Sequence, residues 1–595
     1  MSEMNNAIIR ASAGSGKTYE LVRRYLRLLA LNEAPESIVA MTFTRKSARE
    51  FFERILQKLA ELADNPAGAK DYVDELAQPG VALAQLRRVI HSMDRLRLGT
   101  IDSFFAAVAR CFPFELGLSG QASIMPEDEA KQARDEVMSA LIVEVTRGNN
   151  RQALSEMLEA WKRATAGKEL NRPSDYLDKW FHDLHNLYME CSERERWGTR
   201  EVVWPDKDSP AWMAEMDLKK AVEHLRDVLD VSLYCKVGQK KWEQFFTDAL
   251  ERRPGEPLGK SNAIAYMLDD ERGAFPLLRE GRATWKLNKR EPVLDHRTGN
   301  ALADVLDILL GRELMCRAGR TQGRCDVIAR FDHQYDRRVR SKGRLAFADL
   351  TWLLVGRIHA LKACQAEEAQ EQWLAMRQDW EYRLDSRFHH WLFDEFQDTS
   401  RRQWDVVGNL VDEAATDPEG RRSFFAVGDL KQSLYLWRQA EPELFLNIEA
   451  RYKHTRMEEC PPLTTSFRTC PSVLKMVNDV FSKSEVLTGS YPDAMRWWSF
   501  EDHLASDKTK KLSGHAALLL APKDADVDSK ASNDRVVTAL IRSIAPLDRG
   551  LTCAILTRGN DEAQRLSAVL RHELNIEVVC ESEVKVTLDN PVSLV

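Results

Sequence analysis

The run Ala11-Ser12-Ala13-Gly14-Ser15-Gly16-Lys17-Thr18 decides how the rest of the chain is read. It follows a short apolar stretch, residues 7–10, and precedes a segment in which Leu21, Val22, Tyr25, Leu28 and Leu29 recur at helical spacing. A glycine-rich turn between a strand and a helix aims backbone N–H groups at an anion, and the helix N-terminus adds its positive dipole end. Lys17 supplies a mobile cation for β- and γ-phosphates, and Thr18 a hydroxyl for Mg²⁺. The strict phosphate-loop pattern is modified at Ala11, where a first glycine is usual. Residues 38–42 then read as a buried strand, and Thr44 onward as another helix. This strand–helix–strand–helix order predicts an α/β fold with a parallel sheet.

A second chemical signal lies far downstream. Phe393-Asp394-Glu395-Phe396-Gln397-Asp398 follows Trp391-Leu392. Two acids therefore stand at the C-terminal end of an expected strand, where ligands collect in open parallel sheets. Asp394 is placed to hold Mg²⁺ through water, and Glu395 to orient and deprotonate an attacking water. Further strands are expected at residues 423–427, 463–465, 516–520, 552–556 and 578–579. Helices are expected at 471–481, 536–544 and 561–574.

Composition sets the limits. The 595 residues carry 85 Lys+Arg against 92 Asp+Glu, a net charge of −7, with 44% hydrophobic and 30% charged residues. This excludes collagen-like, wholly disordered and membrane-spanning classes. The 28 Gly and 21 Pro are fewer chain breakers than the usual ~12%, which points to a helix-rich chain. A net charge of −7 gives no global attraction to nucleic acid but leaves room for a local basic track. The ten cysteines show no C-x-x-C spacing, which argues against a zinc ribbon and fits a reducing cytoplasm. The N-terminus lacks a signal-peptide pattern. From about Phe112 to Arg340 strand-like runs are rare and helical patterns dominate. Trp161, Trp180, Trp197, Trp204, Trp212, Trp242 and Trp285 fall there, and packing rather than base stacking is expected for most of them.

Six segments in order, ASAGSGKT, MTFTRKSARE, GTIDSFF, FDEFQDTS, VGDLKQSLYLWRQAEPELF and LTTSFRTCPSVLKMVN, resemble the superfamily 1 helicases of the UvrD/Rep type, closest to the RecB/AddA branch. The resemblance implies two RecA-like motor domains. Residues 1–115 would form the first part of motor one, 116–340 a helical insertion, 341–458 the rest of motor one, and 459–595 the first part of a truncated second motor. It implies ATP and Mg²⁺ as cofactors. Ala11 to Thr18 and Asp394 would hold them, Phe467 would stack on adenine, and Lys17, Glu395, Gln432 and Arg468 would serve hydrolysis. Gln432 would sense the γ-phosphate and Arg468 would reach it across the cleft. Thr42, Phe43, Thr44, Lys46, Thr100 and Asp102 would line single-stranded DNA, Asp102 standing where the family commonly has His. Tyr435, Trp437 and Arg438 would add base stacking in the motif that couples DNA to ATP.

The resemblance further implies 3′→5′ movement, single-stranded and duplex-end DNA as substrates, recombinational repair or end processing in the cytoplasm, and an AddB/RecC-like or nuclease partner without any membrane role. Two departures stand out: no Gln-containing adenine reader precedes the phosphate loop, and the last two family motifs do not occur before Val595. A second class of reading follows from that, a DNA-binding or assembly subunit whose ATP site regulates without sustained translocation. A P-loop kinase or GTPase fits poorly, since Asn288-Lys289-Arg290-Glu291 fails as a guanine reader at its fourth position.

Overall fold

The computed structural model describes the chain except residues 1–3, 71, 117, 119–121, 148–150, 166–179, 181–183, 235, 257–263, 265–267, 269–273, 284–292, 357–366, 434–440, 493–494, 496–497, 522–528 and 581–595. It forms two compact units, Met1–Arg468 with Lys483–His503, and Thr469–Ser482 with Leu504–Val595.

The first unit is built on a parallel sheet. Its strands are β1 Asn6–Arg10, β2 Ile38–Thr42 and β3 Arg97–Thr100, followed, after the short strands β4 Ser123–Ile124 and β5 Arg344–Leu345, by β6 His390–Phe393, β7 Ser423–Gly428 and β8 Met457–Glu458. The sheet order is β3-β2-β6-β7-β1-β8, and every pairing in it is parallel. Strands β2, β6 and β7 are buried along their whole length, which is why they read as continuous apolar runs rather than alternating ones. Asn6 is a polar exception in β1, fully buried. Its amide accepts from Phe424 N–H at 2.8 Å across 418 residues of chain and donates to the Ala415 carbonyl at 2.7 Å, so both ends are satisfied. The helix Lys17–Ala30 buries Leu21, Val22, Tyr25, Leu28 and Leu29 against one face.

The helical region leaves and re-enters this unit at one place. Ser123 and Ile124 pair in parallel with Arg344 and Leu345. Between them, a 43-residue helix, His296–Arg338, is the spine. One end packs with Trp180, Val137 and Leu141, the other with Trp242, Phe245 and Val222. Trp180, Trp197 and Trp242 are buried. Trp197 and Trp212 donate their indole N–H to the carbonyls of Cys191 and Trp204. Trp180, Trp197 and Trp242 act as packing anchors, and Trp197 and Trp212 have a satisfied polar edge; Trp285 lies outside the described residues.

Where the spine returns, charge is buried. Arg340, with a side chain only 3% exposed, donates to Asp349 Oδ1 at 2.9 Å and Asp332 Oδ1 at 2.7 Å. Tyr335 donates to Asp349 Oδ2 at 3.1 Å, and His185 Nε2 lies 2.7 Å from Asp332 Oδ1. Burial alone would raise the Asp332 carboxyl, but Arg340 and His185 outweigh it and hold it well below the carboxylate range. Arg340→Met would strand two buried carboxylates. We expect a loss of about 3–5 kcal/mol, read from the midpoint of chemical unfolding; an unchanged midpoint would mean the pair is dispensable.

In the second unit the helices Pro471–Phe481, Ser529–Ile544 and Asn560–Leu574 form, and Ile541, Leu566 and Leu570 make a small core. The strands expected at 516–520, 552–556 and 578–579 do not: these described residues carry no strand. Leu518, Leu520 and Leu556 are 75%, 82% and 96% exposed. An apolar run becomes a strand only when a neighbour takes up its backbone hydrogen bonds, and these runs have none in a ladder.

Candidate functional site

The phosphate loop is shaped by left-handed glycines and by its neighbours. Gly14 and Gly16 take φ of 71° and 102°, values that a side chain would strain. Ser15 Oγ and N–H both donate to the Ser12 carbonyl, at 2.7 and 3.2 Å. The loop enters the sheet end through Ala11 N–H to the Gly428 carbonyl and Ser12 N–H to the Leu463 carbonyl. Leu463, in the strand expected at 463–465, makes an isolated parallel bridge with Ala11. Phe467 N–H donates to the Gly14 carbonyl at 2.9 Å. A Cβ placed on Gly14 would lie 3.0 Å from Arg468 Cβ and 3.8 Å from its Nε. The structure thus brings Arg468 directly over the loop, while the Phe467 ring is 61% exposed beside it.

The acids arrive from β6. Asp394 N–H donates to the Met41 carbonyl of β2, which continues the sheet one residue further. Glu395 then turns into left-handed backbone, φ 48°, a strain of about 1–3 kcal/mol that recurs at functional sites. Phe396 holds this turn down: it is buried among Phe393, Trp404, Phe424 and Phe445 at ring-centroid distances of 5.4 to 6.3 Å. With the turn anchored below, the carboxylates stand above the sheet end. Lys17 Nζ meets Glu395 Oε2 at 2.5 Å, joining the phosphate loop to the acid pair. Burial, reinforced by Glu395, pushes Asp394 up to about 6, and Lys17 opposes the shift. The same causes push Asp398 up to about 7.

Gln397, Asp429 and Lys431 were not singled out from the sequence. Gln397 donates to Glu395 Oε2 at 2.8 Å and accepts from Asp429 N–H at 2.9 Å. Asp429 accepts from Gln432 Nε2 at 2.7 Å and pairs with Lys431 at 2.9 Å. All stand inside motifs already quoted, and their closeness in sequence to the acid pair or to the end of β7 was the available signal. Gln432 therefore lies in one bonded chain with Glu395.

The expected DNA segments emerge from adjacent strand ends, with Thr42 and Thr100 register partners in β2 and β3. Thr42 is buried and its hydroxyl donates to the Thr44 carbonyl. Thr44 and Thr100 cap the helices Arg45–Asp64 and Ile101–Cys111 by accepting from Ser47 and Ser103 N–H. Phe43 is half-buried and Lys46 exposed. Asp102 Oδ1 accepts from Gln403 Nε2 at 3.4 Å. Tyr435, Trp437 and Arg438 lie outside the described residues.

Oxygen donors dominate the site. Among the described residues no cluster of three or more His, Cys, Asp or Glu could hold a metal by itself. That fits Mg²⁺, which takes one or two protein oxygens with phosphates and water rather than an all-protein cage. Asp394, partly buried at the end of β6 beside Glu395, brings a carboxylate oxygen of that kind to the site.

The family model described as "UvrD/REP helicase N-terminal domain" matches residues 2–233 and 284–453. The chain is 26% identical over 529 residues to an ATP-dependent helicase/nuclease subunit of Bacillus pumilus, covering 81% of this chain and 39% of that protein. For the protein of the same name from Oceanobacillus iheyensis the figures are 22% over 592 residues, 90% and 43%. The chain therefore spans about two fifths of the length of these curated relatives.

Proposed function

The chain belongs to the UvrD/REP helicase family, and on that footing we propose that it couples ATP hydrolysis to movement along single-stranded DNA in repair or end processing. The observation that carries the reading is the 2.5 Å pair between Lys17 and Glu395, because a phosphate cation and a water-activating acid within one ion pair can share a triphosphate. In this reading Ala11 to Thr18 cradle the phosphates, and Thr18 and Asp394 would hold Mg²⁺, which would supply charge neutralisation on the phosphate oxygens. Glu395 takes the proton of the attacking water. Arg468, already lying over Gly14, stabilises charge on the transferred group. Phe467 offers its exposed ring to adenine, and Gln432 answers to the γ-phosphate.

The DNA path runs over the ends of β2 and β3. Lys46 meets phosphate and Phe43 a base, with Asp102 nearby, and Tyr435, Trp437 and Arg438 continue the track. Thr42, Thr44 and Thr100 contribute by shaping this edge, since their hydroxyls are engaged in local hydrogen bonds. Polarity of 3′→5′ is carried from the family. The relatives' name, which joins helicase to nuclease and calls each protein one subunit of a larger enzyme, supports a nuclease activity and a partner chain in the assembled enzyme. The test is ATP turnover with and without single-stranded DNA. Strong stimulation is expected; equal rates would remove the translocase and favour an assembly role with a regulatory ATP site.

A further inference from the structure

One buried amide ties the hydrolysis turn to the loop that follows β7. Gln397 is 1% exposed. Its Nε2 donates to Glu395 Oε2 at 2.8 Å, and its Oε1 accepts from Asp429 N–H at 2.9 Å. Each end fixes the other. A flipped amide would set its oxygen against the Glu395 carboxylate and its NH₂ against a backbone N–H, so only one orientation satisfies both. Room for this bridge comes from Gly428, where a Cβ would lie 2.4 Å from Gln397 Oε1. The loop leans on Gln397 a second time through Ser433, whose Oγ donates to the Gln397 carbonyl at 3.4 Å. Within the loop, Asp429 is braced by Gln432 and Lys431. Residues 429–433 lead directly into the stretch that holds Tyr435 and Trp437.

Resting on the translocase reading, we infer that Gln397 is a positioning residue that transmits the state of the 429–433 loop to Glu395. The amide is planar, so its donor and acceptor move as one body. A shift of the Asp429 N–H carries the Gln397 oxygen with it and moves the NH₂ that holds the Glu395 carboxylate. Glu395 Oε2 is held by Lys17 at 2.5 Å and by Gln397 at 2.8 Å. Of these two partners, only the second reports on the loop. When a strand loads the loop, the balance between them changes, and with it the direction in which the carboxylate faces.

The test uses the full chain and compares wild type with Gln397→Glu. That variant keeps an oxygen for Asp429 N–H and loses the donor to Glu395. The readout is the ratio of DNA-stimulated to basal ATP turnover, together with binding of a fluorescent ATP analogue, binding of an oligodeoxythymidylate, and thermal melting. The ratio is expected to fall to about one while both binding constants stay within about twofold, the pattern of a lost transition-state interaction rather than lost binding. A ratio equal to wild type, even with both rates lowered by the same factor, would show a merely structural role and overturn the inference. If Gln397→Glu does not fold, Gln397→Met is held to the same outcomes. A wild-type chain that no strand stimulates overturns the translocase reading and this inference together. Stimulation of both wild type and variant overturns the inference alone.

Discussion

Lys17→Ala is expected to abolish measurable ATP hydrolysis, a loss of about 10²–10³-fold or more, in line with removing one preorganised charge from a phosphoryl-transfer site. Lys17 stands on the first turn of the helix Lys17–Ala30, immediately after the left-handed Gly16, so its ammonium adds to the positive end of that helix. Its side chain is 10% exposed and paired with Glu395, which leaves little water to take over its role. The truncation also removes the cation that opposes the upward shifts at Asp394 and Asp398. Three carboxyls would then face one another without that counter-charge, and both shifts would grow. Steady-state turnover with and without DNA checks the prediction. DNA-stimulated hydrolysis persisting in the variant would refute the phosphate-loop assignment.

Glu395→Gln should separate binding from chemistry. The amide is nearly isosteric and keeps an acceptor oxygen, and glutamine meets the same left-handed backbone at φ 48°, so the turn anchored by Phe396 should survive. What disappears is the base. General-base contributions are typically ~10²–10⁴-fold, and turnover should fall by that order while ATP binding is retained. The measurements are single-turnover cleavage and analogue binding on the same preparation. Turnover at the wild-type rate would exclude Glu395 as the base.

Much of the sheet was readable because parallel strands buried on both faces must be continuously apolar. Residues 38–42 and 423–427 show this, and both became strands. β3, Arg97–Thr100, was less readable, since a Gly and two polar residues within four positions hide its strand character. The runs at 516–520 and 552–556 erred the other way: their composition suits a strand, but pairing is a property of two segments and no single run encodes it. The site followed the same division. Gly14, Gly16, Lys17, Asp394 and Glu395 declare themselves by local chemistry. Gln397 does not, because its role depends on an amide N–H at Asp429, on a different strand end and beyond the helix Arg401–Ala415. Thr44 and Thr100, expected along the DNA track, also cap helices, a second use of one hydroxyl that spacing does not reveal.

Strand β1 has a timetable imposed on it by the sheet order. It precedes the phosphate loop in sequence, yet its two neighbours are β7 and β8, and its Asn6 side chain waits for Phe424, 418 residues later. On a ribosome adding ~5–20 residues per second, that interval is roughly 20–85 s. Throughout it the nascent segment around Lys17 has its glycines and its lysine but no scaffold, and an apolar strand lies open to wrong partners. A polypeptide cut off before Gly428 therefore carries the phosphate-loop motif without the strand that positions it.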